Sequence, residues 1–114
     1  PEDRGLIGYR VTGDFVFHVL VTAPELFNRY AAIQSPGSEL MPYLMRDDDS
    51  FRNSFAERDI KLFVSASDTE TLSAALQARA YAGLDVTGLS TGDLNLAAVL
   101  PVSLPQAIVA MYGA

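Results

Sequence analysis

The 114-residue chain has no cysteine, no tryptophan, a single histidine and a single lysine. Without cysteine there is no disulfide framework, no thiolate zinc site, no Fe–S cluster and no thiol nucleophile, and one histidine cannot assemble a multi-histidine metal centre. Positive charge is scarce: 8 Lys+Arg stand against 14 Asp+Glu, a net charge of −6. Affinity for nucleic acid comes mainly from cations that neutralise phosphates, so this balance excludes nucleic acid as an expected partner. Long apolar runs are missing as well. The longest, Phe15 to Thr22 and Leu94 to Val102, are far short of the roughly 20 residues that span a bilayer. The opening Pro1-Glu2-Asp3-Arg4 is charged rather than signal-like. These absences lead us to expect a soluble, cytoplasmic chain with no membrane partner, no metal and no cofactor.

What is present is an ordinary globular composition, 49% hydrophobic. A chain of this length is expected to form one domain over residues 1–114 and to bury roughly two-thirds of its unfolded surface. Gly5-Leu6-Ile7-Gly8-Tyr9 reads as a short apolar strand, followed by the turn signal Thr12-Gly13 and a helix from about Asp14 to Thr22, closed by Pro24. Pro24 to Phe27 adds a further helical turn in this reading, and Tyr30 to Ile33 is a second strand ended by Ser35-Pro36-Gly37. Between Glu39 and Asp59, Leu40, Tyr43, Leu44, Phe51 and Phe55 are spaced for two amphipathic helices separated by Asp47-Asp48-Asp49-Ser50, an acidic run read as a solvated helix start.

Ile60 to Ala66 is the clearest strand, and Ser67-x-x-Glu70 after it is a capping box opening a helix with Leu72, Ala75 and Leu76 on one face. Leu84 and Val86 alternate with Asp85 and Thr87 as a strand does, a loop is expected from Gly88 to Asn95, and a terminal apolar helix follows. Pro101 and Pro105 require that helix to kink or to begin at Pro105. Strands alternating with helices predict an α/β three-layer sandwich with a mainly parallel sheet of about four strands, its ligand sites outside the carboxyl ends of the strands.

The run Asp3-Arg4-Gly5-Leu6-Ile7-Gly8-Tyr9-Arg10-Val11-Thr12-Gly13, with Pro24-Glu25-Leu26-Phe27-Asn28-Arg29-Tyr30 and Ser35-Pro36 behind it, resembles the bacterial putative-esterase family of α/β-hydrolases, the branch with siderophore esterases. There a strand runs into G-H-S-F-G-G, and P-[DE]-L-F-x-R-Y follows a helix. Val99-Leu100-Pro101 with Ile108 and Met111-Tyr112-Gly113 is similar to the family's closing helix. The resemblance covers the carboxyl-terminal half of that fold only. It puts Arg10 where the nucleophilic serine stands, Tyr9 at the histidine beside it and Thr12 at a glycine. An arginine stays protonated and cannot attack an acyl carbon. The resemblance places the catalytic histidine near Asp93, Leu94, Asn95 and Leu96, where there is none, so Asn95 and Leu96 are degenerate positions. Asp68 and Glu70 are left as candidates for the acid, although capping explains both.

Gly88-Leu89-Ser90-Thr91-Gly92 also fits G-x-S-x-G, but a hydrolase of this class needs its histidine after the serine, and His18 precedes it. Asp14 and His18 share a helix face as an i,i+4 pair, and Asp47 to Asp49 lack the spaced oxygen set of a calcium loop. Tyr30, Tyr43, Tyr81 and Tyr112 read as core or interface.

The resemblance makes the Gly5 to Tyr9 strand central in the complete fold. Starting at it leaves one edge unpaired, which makes Leu6, Ile7 and Tyr9 candidate interface residues. The expectation is a catalytically inactive esterase-like subunit, in a homodimer or as partner of another chain. The alternatives are a module binding a small anionic ligand through Tyr9, Arg10 and Asp93, and a subunit that completes a composite enzyme site.

Overall fold

A computed structural model describes residues 4–34, 48–66, 76–90 and 96–113. Four strands, β1 (Gly5–Tyr9), β2 (Arg29–Ile33), β3 (Ile60–Ala66) and β4 (Leu84–Ser90), form one sheet in the order β1-β2-β3-β4. Each neighbouring pair is parallel, with Ile7 beside Ala31, Ala31 beside Phe63 and Phe63 beside Thr87. The helices are α1 (Val11–Thr22), α2 (Asp48–Phe55) and α3 (Leu96–Tyr112), and residues 76–79 are also helical. The expected α/β sandwich with a four-stranded parallel sheet is therefore what the chain forms.

Strand periodicity sends alternate side chains to opposite faces, and two apolar layers result. On one face Val16, Phe17, Val19 and Leu20 of α1 pack with Tyr30, Ala32, Leu62, Val64, Phe51, Phe55, Leu76 and Tyr81. The Phe55 ring meets Tyr81 edge-on at 5.8 Å, and Arg52 lies over the Tyr81 ring at 5.0 Å, which ties α2 to the segment before β4. On the other face, among the described residues, α3 covers Ala31, Ile33 and Phe63 with Val99, Ala107 and Met111. Leu6 packs against the first layer and Tyr9 against the second.

Several boundaries differ from expectation. Helix α1 begins at Val11 rather than near Asp14, so Thr12 and Gly13 lie inside its first turn and the chain reverses at Arg10 alone. Pro24 to Leu26 form a turn, with the Leu26 N–H donating to the Ala23 carbonyl, and add no helix. Asp48, Asp49 and Ser50 open α2 itself, while the helix expected around Leu40, Tyr43 and Leu44 lies outside the described residues. Strand β4 continues through Ser90, where a loop was expected from Gly88, because Val64, Ser65 and Ala66 of β3 extend the ladder to Gly88, Leu89 and Ser90. Helix α3 neither stops nor begins at a proline but carries both Pro101 and Pro105 inside it. Both face solvent, where water can bond the Pro101 carbonyl that Pro105, lacking an N–H, leaves open. Among the described residues no helix is long and apolar enough to cross a membrane.

Candidate functional site

At the carboxyl end of β1 the backbone is strained. Arg10 has φ 58° and ψ −116°, a left-handed conformation that side-chain-bearing residues adopt at a cost of order 1–3 kcal/mol. Four local features hold it. The Arg10 N–H donates to the Ile33 carbonyl at 2.8 Å, which keeps the turn attached to β2, and the Gly13 N–H donates to the Arg10 carbonyl at 2.9 Å, which starts α1. The Thr12 hydroxyl accepts from the Tyr9 N–H and donates to the Tyr9 carbonyl, both at 2.8 Å. Gly8 is required because a β-carbon there would run into the Thr12 carbonyl and the Gly13 nitrogen.

This is a sharp strand-to-helix turn with an exposed side chain at its apex, the shape that presents a nucleophile in hydrolases. Its apex residue is an arginine, engaged by an interaction within the chain, and it has no nucleophilic atom at neutral pH. Beside it, Gln34 follows β2 with φ 57°, and its N–H donates to the buried Ser65 hydroxyl of β3 at 3.3 Å. The ends of β1, β2 and β3 are thus knitted together by backbone and hydroxyl groups. Asp68, Glu70, Asp93 and Asn95 lie outside the described residues, as does the Ser67 capping box, and Leu96 is the first residue of α3.

Ser90 ends β4 in extended pairing with Ala66, which is not the reversal a serine nucleophile needs. Asp14 and His18 are both exposed on α1, two strands and more from Ser90 in the sheet order. Of the tyrosines, Tyr30 and Tyr81 are core residues and Tyr112 is about half exposed. Among the described residues no group of three or more His, Asp or Glu side chains is placed to hold a metal ion.

A cavity of about 710 Å³ lies at the opposite, amino end of the strands, between Arg4, Asn28, Glu57 and Arg58. Its lining carries charges of both signs. At the same end of the sheet the buried Arg29 donates to the Asn28 and Asp59 carbonyls at 2.9 Å and reaches the Asp59 carboxylate at 3.7 Å. Sequence reasoning met Arg29 only within the Pro24 to Tyr30 motif and assigned no role to it or to this cavity.

The second feature of the site is an edge. β1 is one of the two edge strands of the described sheet, β4 being the other, and Ile7 on it is 43% exposed. Of the residues expected at an interface, Ile7 is the most open, Leu6 and Tyr9 are half-buried, and the backbone of Tyr9 is occupied by Thr12. No family model matches this chain, and no curated protein or solved structure matches it either.

Proposed function

We propose that the chain is a non-catalytic subunit, built like the carboxyl-terminal half of an esterase-type α/β-hydrolase, that works in the cytoplasm through protein–protein association. The observation that carries this reading is the position of β1: an uncharged, apolar strand at the sheet edge with Ile7 half exposed and no charged side chain between Gly5 and Tyr9. Open edges of this kind are templates for pairing and are normally blunted by lysine, proline or a cover. The turn at Arg10 supports the rest of the reading, since it has the form of a nucleophile turn while its side chain cannot act as one. The association takes the form of a homodimer or of a complex with a second chain.

Light scattering coupled to size-exclusion chromatography tests this on the purified chain and on chain recovered from its host extract. A mass above that of a single chain in either preparation is expected. A lone monomer in both sinks the reading.

A second reading is favoured by one observation, an exposed arginine at the amino end of the 12-residue helix α1. Helix amino ends and guanidinium groups both suit carboxylate, phosphate or sulfate, so a small anion is the ligand this reading requires. A thermal-shift panel of these anions, wild type against Arg10→Ala, tests it: stabilisation must be present in the first and lost in the second.

A further inference from the structure

The cavity at the amino end of the strands is lined by Arg4, Arg58, Glu25, Glu57 and Asp59. Asp59 is balanced by the buried Arg29 at 3.7 Å. The other four, two cations and two anions, stand beyond ion-pair distance of one another and form no salt bridge among the described residues. Opposite charges therefore share one cavity of about 710 Å³ without closing on each other.

The backbone around them is held in place. Arg58 donates from Nε to the Ser54 carbonyl and from its N–H to the Phe55 carbonyl, both at 2.9 Å, which anchors the guanidinium at the end of α2 with its terminal nitrogens left for another acceptor. On the other side Glu25 sits in the turn that the Leu26 N–H closes on the Ala23 carbonyl at 3.1 Å. Leu26, 48% exposed, and the half-buried Phe27 give this side an apolar wall. Behind Phe27, whose ring meets Tyr30 edge-on at 6.1 Å, the Tyr30 hydroxyl is fully buried and makes no well-formed hydrogen bond among the described residues. The Phe27 backbone and the charges of Glu25 and Arg58 all act on that hydroxyl, so Glu25 and Arg58 flank the same point of the cavity.

We infer that this cavity binds a short peptide with free ends and apolar side chains, its carboxylate on Arg58, its ammonium on Glu25 and a side chain against Leu26 and Phe27. The four unpaired charges sum to zero, so a simple anion would meet two carboxylates and a simple cation two guanidinium groups, whereas a zwitterion is matched at both ends. No group of three or more acidic or histidine side chains is placed among the described residues to favour a metal ion instead. The volume lies within the roughly 300–1,000 Å³ of small-molecule sites and exceeds what one amino acid needs, which points to two or three residues. The site uses neither the Arg10 turn nor the β1 edge, so it stands or falls separately from the association reading.

NMR titration of the whole chain with the dipeptide Leu-Leu, beside N-acetyl-Leu-Leu and Leu-Leu-amide, tests this. Leu-Leu is expected to shift the amides of Leu26 to Asn28 and Glu57 to Ile60, and each blocked form to bind about tenfold more weakly. Arg58→Gln should weaken Leu-Leu by a similar factor while leaving Leu-Leu-amide unaffected, and Glu25→Gln should do the same with N-acetyl-Leu-Leu unaffected. Both side chains are exposed, and the spectrum itself shows that each variant is folded.

The absence of shifts with Leu-Leu up to about 10 mM, or equal affinity for free and blocked forms, overturns the inference. So does a Leu-Leu affinity that neither substitution changes. Inorganic phosphate shifting the same amides where Leu-Leu does not would make this an anion site and overturn the peptide.

Discussion

Replacing Arg10 separates the backbone of the turn from its side chain. At φ 58° and ψ −116° any residue with a β-carbon is strained by about 1–3 kcal/mol, and glycine is not. Glycine loses more freedom on folding, a counter-term of about 0.4–1 kcal/mol. Arg10→Gly and Arg10→Ala both delete the guanidinium and whatever it contacts, so the difference between them isolates the turn. We expect Arg10→Gly to be more stable than Arg10→Ala by about 1–2 kcal/mol, which for a domain of this size is roughly 4–8 °C in Tm. Urea unfolding with a common slope, together with calorimetry, reads both quantities. Equal stabilities, or a less stable glycine variant, would refute the claim that Arg10 is held in strain by Gly8, Thr12 and the bond to Ile33.

Thr12→Val keeps the shape of Thr12 but frees both Tyr9 backbone groups; a loss of about 1–3 kcal/mol is expected, with faster aggregation by light scattering, while Thr12→Ser stays near wild type. Burial pushes the Tyr30 phenol up from 10.0 to about 12, with the Phe27 backbone pulling the other way. The unfolded chain therefore loses that proton first, and stability falls as pH rises from about 10 to about 12, by roughly 2–3 kcal/mol at most. Tyr30→Phe should remove this alkaline loss, and an unchanged pH profile would count against it. Ser103 is fully buried on α3 and its hydroxyl has no hydrogen-bond partner among the described residues. Ser103→Ala is expected to leave stability unchanged or raise it by up to about 1 kcal/mol, measured by urea titration; a clear loss would mean the hydroxyl has a role that the packing does not reveal.

The pattern of residues along the chain determined which segments became strands and how the layers would form. Ile60 to Ala66 and the alternation of Leu84 and Val86 were legible because side chains on a strand divide strictly between two faces, and repeated strand and helix signals imply a parallel sheet. Thr12-Gly13 marked a sharp turn, but left open where the reversal falls. Only the packing of α1 against β1 and β2, with Arg10 bonded to Ile33, put it at a single non-glycine residue. Tertiary structure also decided the course of α3, since the penalty a proline brings depends on whether its orphaned carbonyl meets water or the core, and here both prolines face water. The open edge follows from strand order, which depends on contacts between residues far apart in sequence. Which backbone groups stay open on that edge depends on the parity of pairing with β2 and on one threonine hydroxyl. Local sequence dictates the elements, and long-range hydrogen bonding dictates which of their surfaces are left exposed.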